Sequence, residues 1–519
     1  MIDLNRWQKL IAGAIVLISS TILVYAFFNG TGIPASSGRF SSNAGASAGL
    51  TTNQLPTNGW ARGCGGSSYN YGQTLTVRPS SGNIIFGGIF AGTTDFGNGV
   101  LTSAGGNDIV LAEYTPAGAC LWLKRFGGPG NESVLKVAVD GSGSIFITGT
   151  FQNTFSLGSI TLTNVGGNDI YVAKFASTNL DQPLWAKAFG SARADVINSF
   201  AVDGNGDVFL VGNFTTSCIW GQNGMTGGLS FGGDTLCSTS SGQDSFVAKL
   251  SGVDGRHLWS RNFTCGSPDD CKDLAVNLQG DVVVIGSYQG DIDFGLGYMT
   301  SSGLGSDAYM AKLSGASGQC LWNKSFGGTY GDAATSIALD AAGNVFLAGY
   351  FYTTINFGGS NLVSSSQYDV FLAKFSSADG GHLWSTAFNG PASEYPTALA
   401  VDPAGNALVT GTFQNTLSVA GTILTSLGTS SSFLTKHSNS GALISARVIG
   451  GYQKVAGSEN TTVAALATDG SGNIILAGNF QGTLDAGGGL VLINDAVQDA
   501  FLIKLILAQS PPFAVKYQK

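Results

Sequence analysis

The chain is poor in charge and poorer still in the groups that usually carry catalysis. Only 11% of its 519 residues are Asp, Glu, Lys or Arg, and the formal net charge is −8. No basic stripe interrupts that balance, which argues against a nucleic-acid partner. The three histidines, His257, His382 and His437, form no metal-spaced pair. A serine nucleophile elbow and a phosphate-binding loop are missing as well. The carboxylates recur too regularly to single out the acid–base pair of a glycosidase. Cysteine is scarce, with seven in all, and none follows the N-terminal apolar run before Cys64, which argues against a lipoprotein anchor.

What the chain has in excess is glycine, 77 residues, and a repeat. The stretch Gly343-Asn-Val-Phe-Leu-Ala-Gly-Tyr-Phe351 occurs in seven versions, ending on Phe90, Phe151, Phe214, Tyr288, Phe351, Phe413 and Phe480. Such a recurrence is read first because it sets the architecture. Upstream of each copy lies an apolar stretch ending in Asp, as in Ile337–Asp340. Downstream comes an Asp-x-aromatic-x-Ala-Lys piece, as in Asp369–Phe375, and then Leu-Trp with a Phe four residues on, as in Trp322–Phe326. All four pieces are short, β-branched or aromatic, and bounded by Gly, Ser and Asn, which is strand chemistry. One unit therefore reads as four antiparallel strands, A to D, with a tight Asp-x-x-Gly-Asn turn between A and B. Seven four-stranded sheets in tandem fit an all-β, seven-bladed β-propeller.

The phase of the repeat predicts how the ring closes. Outer-strand tryptophans stand at Trp60, Trp122, Trp185, Trp259, Trp322 and Trp384, with Ile444 in the equivalent place. Trp60 precedes the first A strand, and the last unit has no Leu-Trp after Asp499–Leu505. The strand at Trp60 is thus expected to supply the outer strand of the seventh blade.

Around residues 59–505, which hold the blades, lie simpler segments. Residues 10–28 carry no charge and follow Arg6 and Lys9. They read either as a membrane-spanning hydrophobic helix or as a cleaved signal segment, and both export the propeller to the cell surface, the extracellular space or the periplasm. Residues 29–58 read as a Gly/Ser/Thr-rich linker. Residues 506–519 form a tail containing Pro511-Pro512. Cys218 and Cys237 bracket an insertion in the B–C connection of blade three, and Cys265 and Cys271 bracket the next D–A loop. In an oxidising compartment both pairs are expected to bridge.

The pieces Val139–Phe151, Asp169–Phe175 and Leu321–Gly328 together resemble the seven-bladed beta-propeller (SBBP) repeat family of exported bacterial proteins. The resemblance covers about residues 60–505. It implies a scaffold fold and carries over no catalytic set. Lys312–Trp322 is also similar to the Trp-docking repeat of pyrroloquinoline-quinone enzymes and their non-catalytic scaffold relatives. Those enzymes typically have eight blades and a vicinal cysteine pair, whereas this chain has seven repeats and no adjacent cysteines.

Candidate binding residues follow from position in the repeat. Glu132, Asp195, Asp269, Asp332 and Glu394 each stand six residues after a D-strand Phe, and Glu459 continues the series. They are expected to ring one mouth of the channel, where they hydrogen-bond loop amides, hold a cation such as calcium, or attract a basic partner. Asp203-Gly-Asn-Gly-Asp207 looks like the start of a calcium loop but occupies the A–B turn. The strand-C lysines belong at the opposite end, their stems covering apolar surface. Long B–C excursions with small hairpins mark the D–A/B–C face as the functional one. On it Trp220 and Met225 of the blade-three insertion are candidate contacts. The reading is a non-enzymatic scaffold without a cofactor, binding a protein partner or copies of itself, as in a filament or surface layer. The rival is an enzyme acting on carbohydrate or a quinone-dependent oxidoreductase.

Overall fold

The computed structural model describes residues 58–66, 68–215, 218–221, 224–238, 243–263, 269–451, 460–494 and 498–506. The apolar segment 10–28, the linker up to residue 57, the C-terminal tail from residue 507, Cys265 and Glu459 lie outside them, while Asn58 and Ile506, expected in the linker and the tail, extend strands. The described residues are all-β, with no helix among them.

Strands B and C of every repeat are mostly apolar and buried along nearly their whole length, and a sheet strand of that kind needs cover on both faces. It obtains that cover here from the adjacent sheets. In blade one the strands are Asn70–Val77, Ile84–Phe90, Asp108–Tyr114 and Cys120–Phe126, hydrogen-bonded in the order A-B-C-D. Six blades follow this plan from one continuous stretch each. The seventh takes Thr461–Thr468, Ile474–Phe480 and Asp499–Ile506 from the C-terminal end and Asn58–Gly66 from the N-terminal end. Trp60 pairs with Lys504 and Cys64 with Ala500, so the predicted splice is present in register.

Seven apolar clusters form the core, and each lies between two neighbouring blades. One joins Ile170 and Val172 of blade two to Phe200, Val208 and Leu210 of blade three. The cluster at the closure joins Phe86 and Val110 of blade one to Ile475 and Leu502 of blade seven. No blade has a core of its own.

The B–C excursions are small hairpins, as expected, but they do not stand free. Each folds back on the preceding blade. The hairpin of blade one pairs with the N-terminal strand at Gly66↔Thr94, and that of blade six pairs with strand D of blade five at Phe388↔Val419. Phe231, Phe294 and Phe357 of three hairpins pack on the preceding D-strand Phe189, Phe263 and Phe326, with ring centroids 5.0, 4.6 and 5.0 Å apart. The hairpins are straps across the seams, because their apolar residues have nowhere else to be buried.

One substitution tests the closure. Replacing Trp60 by Ala removes a half-buried indole at the splice and is expected to cost about 2–3 kcal/mol, measured as a lowered urea midpoint at unchanged m-value. Leu121→Ala, at an exposed outer-strand position, is expected to stay within about 0.5 kcal/mol.

Candidate functional site

At the end of the ring that carries the D–A and B–C connections, each seam is built the same way. A residue at or just before the start of strand A donates its backbone N–H to the carbonyl of the residue before the C-strand Asp of the preceding blade. Glu132 bonds Asn107, Asp195 bonds Asn168, Asp332 bonds Ser306 and Glu394 bonds Tyr368, at 2.7–2.9 Å. The side chain at that A position then lies beside the C-strand Asp. Five seams thereby bury two carboxylates together: Asp108/Glu132, Asp169/Asp195, Asp244/Asp269, Asp307/Asp332 and Asp369/Glu394.

The other two seams differ. Asn70 accompanies Asp499 at the closure, and Thr461 accompanies Ser431 between blades six and seven. The sequence series had placed Glu459 at that last position. Pairing of Thr461 with Phe480 puts Thr461 there instead, two residues on, because the preceding D–A connection is longer.

Most of these carboxylates serve the loops. Gly128 N–H donates to Glu132 Oε2 at 2.8 Å, Ser191 N–H to Asp195 Oδ2 at 2.6 Å, and Gly328 N–H to Asp332 Oδ2 at 2.8 Å. The C-strand partners accept from Ala104, Val165, Ser302 and Ser365 amides at 2.6–2.8 Å. Gly127, Gly190 and Gly327 lie against Asp108, Asp169 and Asp307, where any Cβ would collide with the carboxylate. That explains the Phe-Gly step after strand D. The acidic ring is therefore buried in the seams and does not line the mouth.

Burial pushes the A-position groups up: Glu132 to about 7, Asp195 to about 6, Asp269 to about 8, Asp332 to about 7 and Glu394 to about 9. The neighbouring C-strand Asp raises them further, whereas the loop amides pull them down. Paired carboxylates with raised pKa values are also what a glycosidase uses. Here the arrangement recurs at five seams, and Glu132, Asp195 and Glu394 are 1%, 0% and 0% exposed, so no substrate reaches them.

The opposite end carries the A–B and C–D turns and a different charge device. The strand-C lysines do not simply cover apolar surface. Lys174, Lys249, Lys312, Lys374, Lys436 and Lys504 pair with the A–B turn acids Asp140, Asp203, Asp281, Asp340, Asp402 and Asp469 at 2.8–3.4 Å. In blade one the signs are exchanged, with Arg78 against Glu113 at 2.8 Å. Burial alone would raise the acids. Hydrogen bonds from the turn and from the lysine more than offset it, so Asp140, Asp340, Asp402 and Asp469 titrate below the ordinary range. At Asp203–Asp207 the turn is an Asp-capped one, and Lys249 lies 3.2 Å from both carboxylates, where a cation would bind.

The D-strand tryptophans complete this end. The indole N–H of Trp185, Trp259, Trp384 and Trp60 donates to Gly252, Gly315, Asn439 and Pro116 carbonyls of the next blade at 2.9–3.2 Å. Lys174 and Lys249 reach Gly252 and Gly315 too. The glycines at Gly118, Gly255, Gly318 and Gly441 have φ between +69° and +92° and lie flat against those rings, so a side chain there would both strain the turn and strike the indole. Blade six lacks the ring: Ser445, not Ile444, stands opposite Lys436 in the tryptophan register, and Ile444 points outward.

Cys218 and Cys237 form a disulfide with Cα atoms 5.3 Å apart. Cys271 is a free, buried thiol, and Cys265, its expected partner, lies outside the described residues. Cys271 pairs with Gly286 on strand A, at an inward position of the period-two pattern, and its side chain meets Tyr309 in the seam core. Trp220 and Met225 face each other in register across a two-stranded hairpin, Ile219–Gly221 and Gly224–Thr226. Their side chains lie outside the described residues.

Two features escaped sequence reasoning. Lys136 of blade two reaches across the channel to Asp273 of blade four at 2.6 Å, with Ser199 of blade three bonded to both. The second is a group of tyrosines on the D–A/B–C face. Tyr350 lies 5.2 Å from Tyr368 and 5.1 Å from Tyr395, and Tyr352 lies 5.0 Å from Tyr330 and 5.6 Å from Tyr368, measured between ring centroids. Tyr330 and Tyr395 are exposed. The five residues come from two seams and are scattered in sequence, so only their recurrence near strand ends hinted at a shared face.

Seven four-stranded sheets closed by an N-terminal strand define a seven-bladed β-propeller. No family model matches the chain. The uncharacterised WD repeat-containing protein L264 of Acanthamoeba polyphaga mimivirus is 22% identical over 492 residues, covering 77% of this chain and 34% of that protein. The regulatory protein FlaEY of Caulobacter vibrioides is 24% identical over 323 residues, covering 58% of this chain and 32% of FlaEY. The chain spans about a third of the length of the curated relatives it matches. Among solved structures, the polysaccharide lyase Uly1 aligns over 84% of this chain and 90% of its own, with 11% identity and a TM-score of 0.42. Quinohemoprotein alcohol dehydrogenase from Comamonas testosteroni aligns over 88% and 78%, with 10% identity and a TM-score of 0.38. At these scores neither carries an argument about activity.

The two ends of the seams predict opposite pH responses. The raised carboxylates favour the protonated folded state, so their contribution is full below about pH 4 and is lost as pH rises through about 6 to 9. The lowered turn acids contribute above about pH 4 and lose that contribution as pH falls below it. In chelator-treated buffer, Tm is expected to peak near about pH 5 and to fall toward pH 9. Glu394→Gln is expected to flatten the alkaline limb, which differential scanning fluorimetry across that range measures.

Proposed function

We propose that this chain is an exported, non-enzymatic propeller scaffold of the SBBP-repeat type. It binds a protein partner, or further copies of itself, at the cell surface through its D–A/B–C face. The observation that carries the reading is the tyrosine cluster at Tyr330, Tyr350, Tyr352, Tyr368 and Tyr395. Tyrosine supplies large contact area with few torsions to freeze and is enriched at protein interfaces. The cluster sits on rigid strand ends, and Tyr330 and Tyr395 present their rings to solvent. The Cys218–Cys237 bridge fits an oxidising compartment and hence export. Residues 10–28 would act as the export signal or membrane anchor.

Self-assembly is the sub-case that the native material tests directly. Size-exclusion chromatography and negative-stain imaging are expected to show an ordered assembly. The double variant Tyr330→Ser/Tyr395→Ser is expected to run as a monomer with Tm within about 1 °C of the parent, as for exposed sites. Equal assembly by both proteins would remove this face from the reading.

A further inference from the structure

We propose that the seam between blades five and six is a calcium site, with Asp369 and Glu394 as its carboxylate ligands. The inference does not depend on the partner-binding reading. It starts from a defect in the repeat. At three other carboxylate seams the residue four before the A-position acid gives that acid its backbone N–H: Gly128, Ser191 and Gly328. The residue before it is Gly127, Gly190 or Gly327, packed on the C-strand Asp. Between blades five and six, Asn389 replaces that glycine. Gly390, next in line, gives its N–H to Asp369 Oδ1 at 3.2 Å instead. Pro391 follows and has no N–H to give.

Glu394 consequently lacks the loop amide that Glu132, Asp195 and Asp332 accept from. It is fully buried, and its one close side-chain partner is the Asp369 carboxyl, with which it can only share a proton or a cation. The Ala392 amide lies close enough to favour its ionised form. Its carboxylate lies over Gly390, where a Cβ would collide with it, and beside Asp369. Among the described residues no Lys or Arg pairs with either acid, whereas Arg125 bonds Asp108 at the first seam. Two buried carboxylates side by side are unfavourable when both are ionised, so the pair takes up either a shared proton or a cation.

The surroundings suit a hard cation. Ser365 Oγ lies 3.2 Å from Asp369 Oδ2 and 2.6 Å from Gly390 O, and Ser366 Oγ lies 3.0 Å from the same carbonyl. All are oxygens, the ligand type that Ca2+ takes in a flexible shell of six to eight. No three His, Cys, Asp or Glu side chains converge among the described residues. Hydroxyl, carbonyl and water oxygens would therefore complete the shell, a composition that Ca2+ accepts more readily than the strictly octahedral Mg2+.

The full chain, stripped with EDTA, is titrated with Ca2+ at pH 8 while Tm is followed. A saturable rise of roughly 2 °C or more at about millimolar Ca2+ is expected, because the ion binds only the folded state. Glu394→Gln should lose that rise, and Glu132→Gln should keep it. A second readout avoids dependence on folding of the Glu394 variant. Tb3+ seated here is sensitised by Tyr368 and Tyr395, each next in sequence to a ligand. Its emission should be displaced by Ca2+ and should weaken in Tyr395→Phe, which leaves both carboxylates in place. A parent protein with no Ca2+ response in either measurement overturns the proposal and leaves a proton shared between the two acids. A Ca2+ response undiminished in Glu394→Gln overturns it equally.

Discussion

Burial of strands B and C on both faces is the constraint on which the rest of this structure depends. A four-stranded blade standing alone would expose one apolar face or the other, so each blade is stable only between two neighbours. The seven clusters lie in the seams for that reason, as with Ile170 against Phe200 or Phe86 against Leu502. A row of such units has two raw ends, and a ring removes them. Asn58–Gly66 pairing with Asp499–Ile506 turns the row into the ring and makes the two chain ends part of one blade.

The seams also explain why charge is sparse but not random. Each seam has two ends, and the chain treats them differently. At the turn end, opposite charges meet, and a lysine, an indole N–H and a carbonyl of the next blade interlock. Replacing one partner of such a buried pair would leave an uncompensated charge. At the loop end, like charges meet and are tolerated because loop amides surround them. The first arrangement holds when the acids are ionised and the second when one acid is neutral. The same seam is thus loosened by opposite changes of pH at its two ends.

Local patterns in the chain translated well wherever an apolar period or a turn residue decided the outcome. Strands, the A–B turns and the splice at Trp60 belong to that group, since each depends on neighbours in sequence or on a counted repeat. Readings that depended on register failed by one or two residues. Ile444 and Glu459 were matched to the repeat by spacing from one landmark, whereas pairing with Lys436 and Phe480 selects Ser445 and Thr461. Cys271 was matched to Cys265 as a loop staple, but the period of two along strand A turns it into the core. The Lys–Asp pairs were visible in principle. Arg78 and Glu113 exchange signs together in blade one, which is a contact signal inside a single sequence.

By itself the sequence determined the number of blades, the four strands in each, the place of the closure and the low density of charge. All of these follow from composition and period, which act over a few residues. Only the tertiary structure decided what the acidic residues do, because their partners lie some 20 or more residues away on other strands, as Glu132 beside Asp108 shows. It also decided that the hairpins are straps, that Lys136 crosses the channel to Asp273, and that tyrosines from two seams share a face. Burial and charge pairing are properties of the space between blades, and that space exists only once the ring has closed.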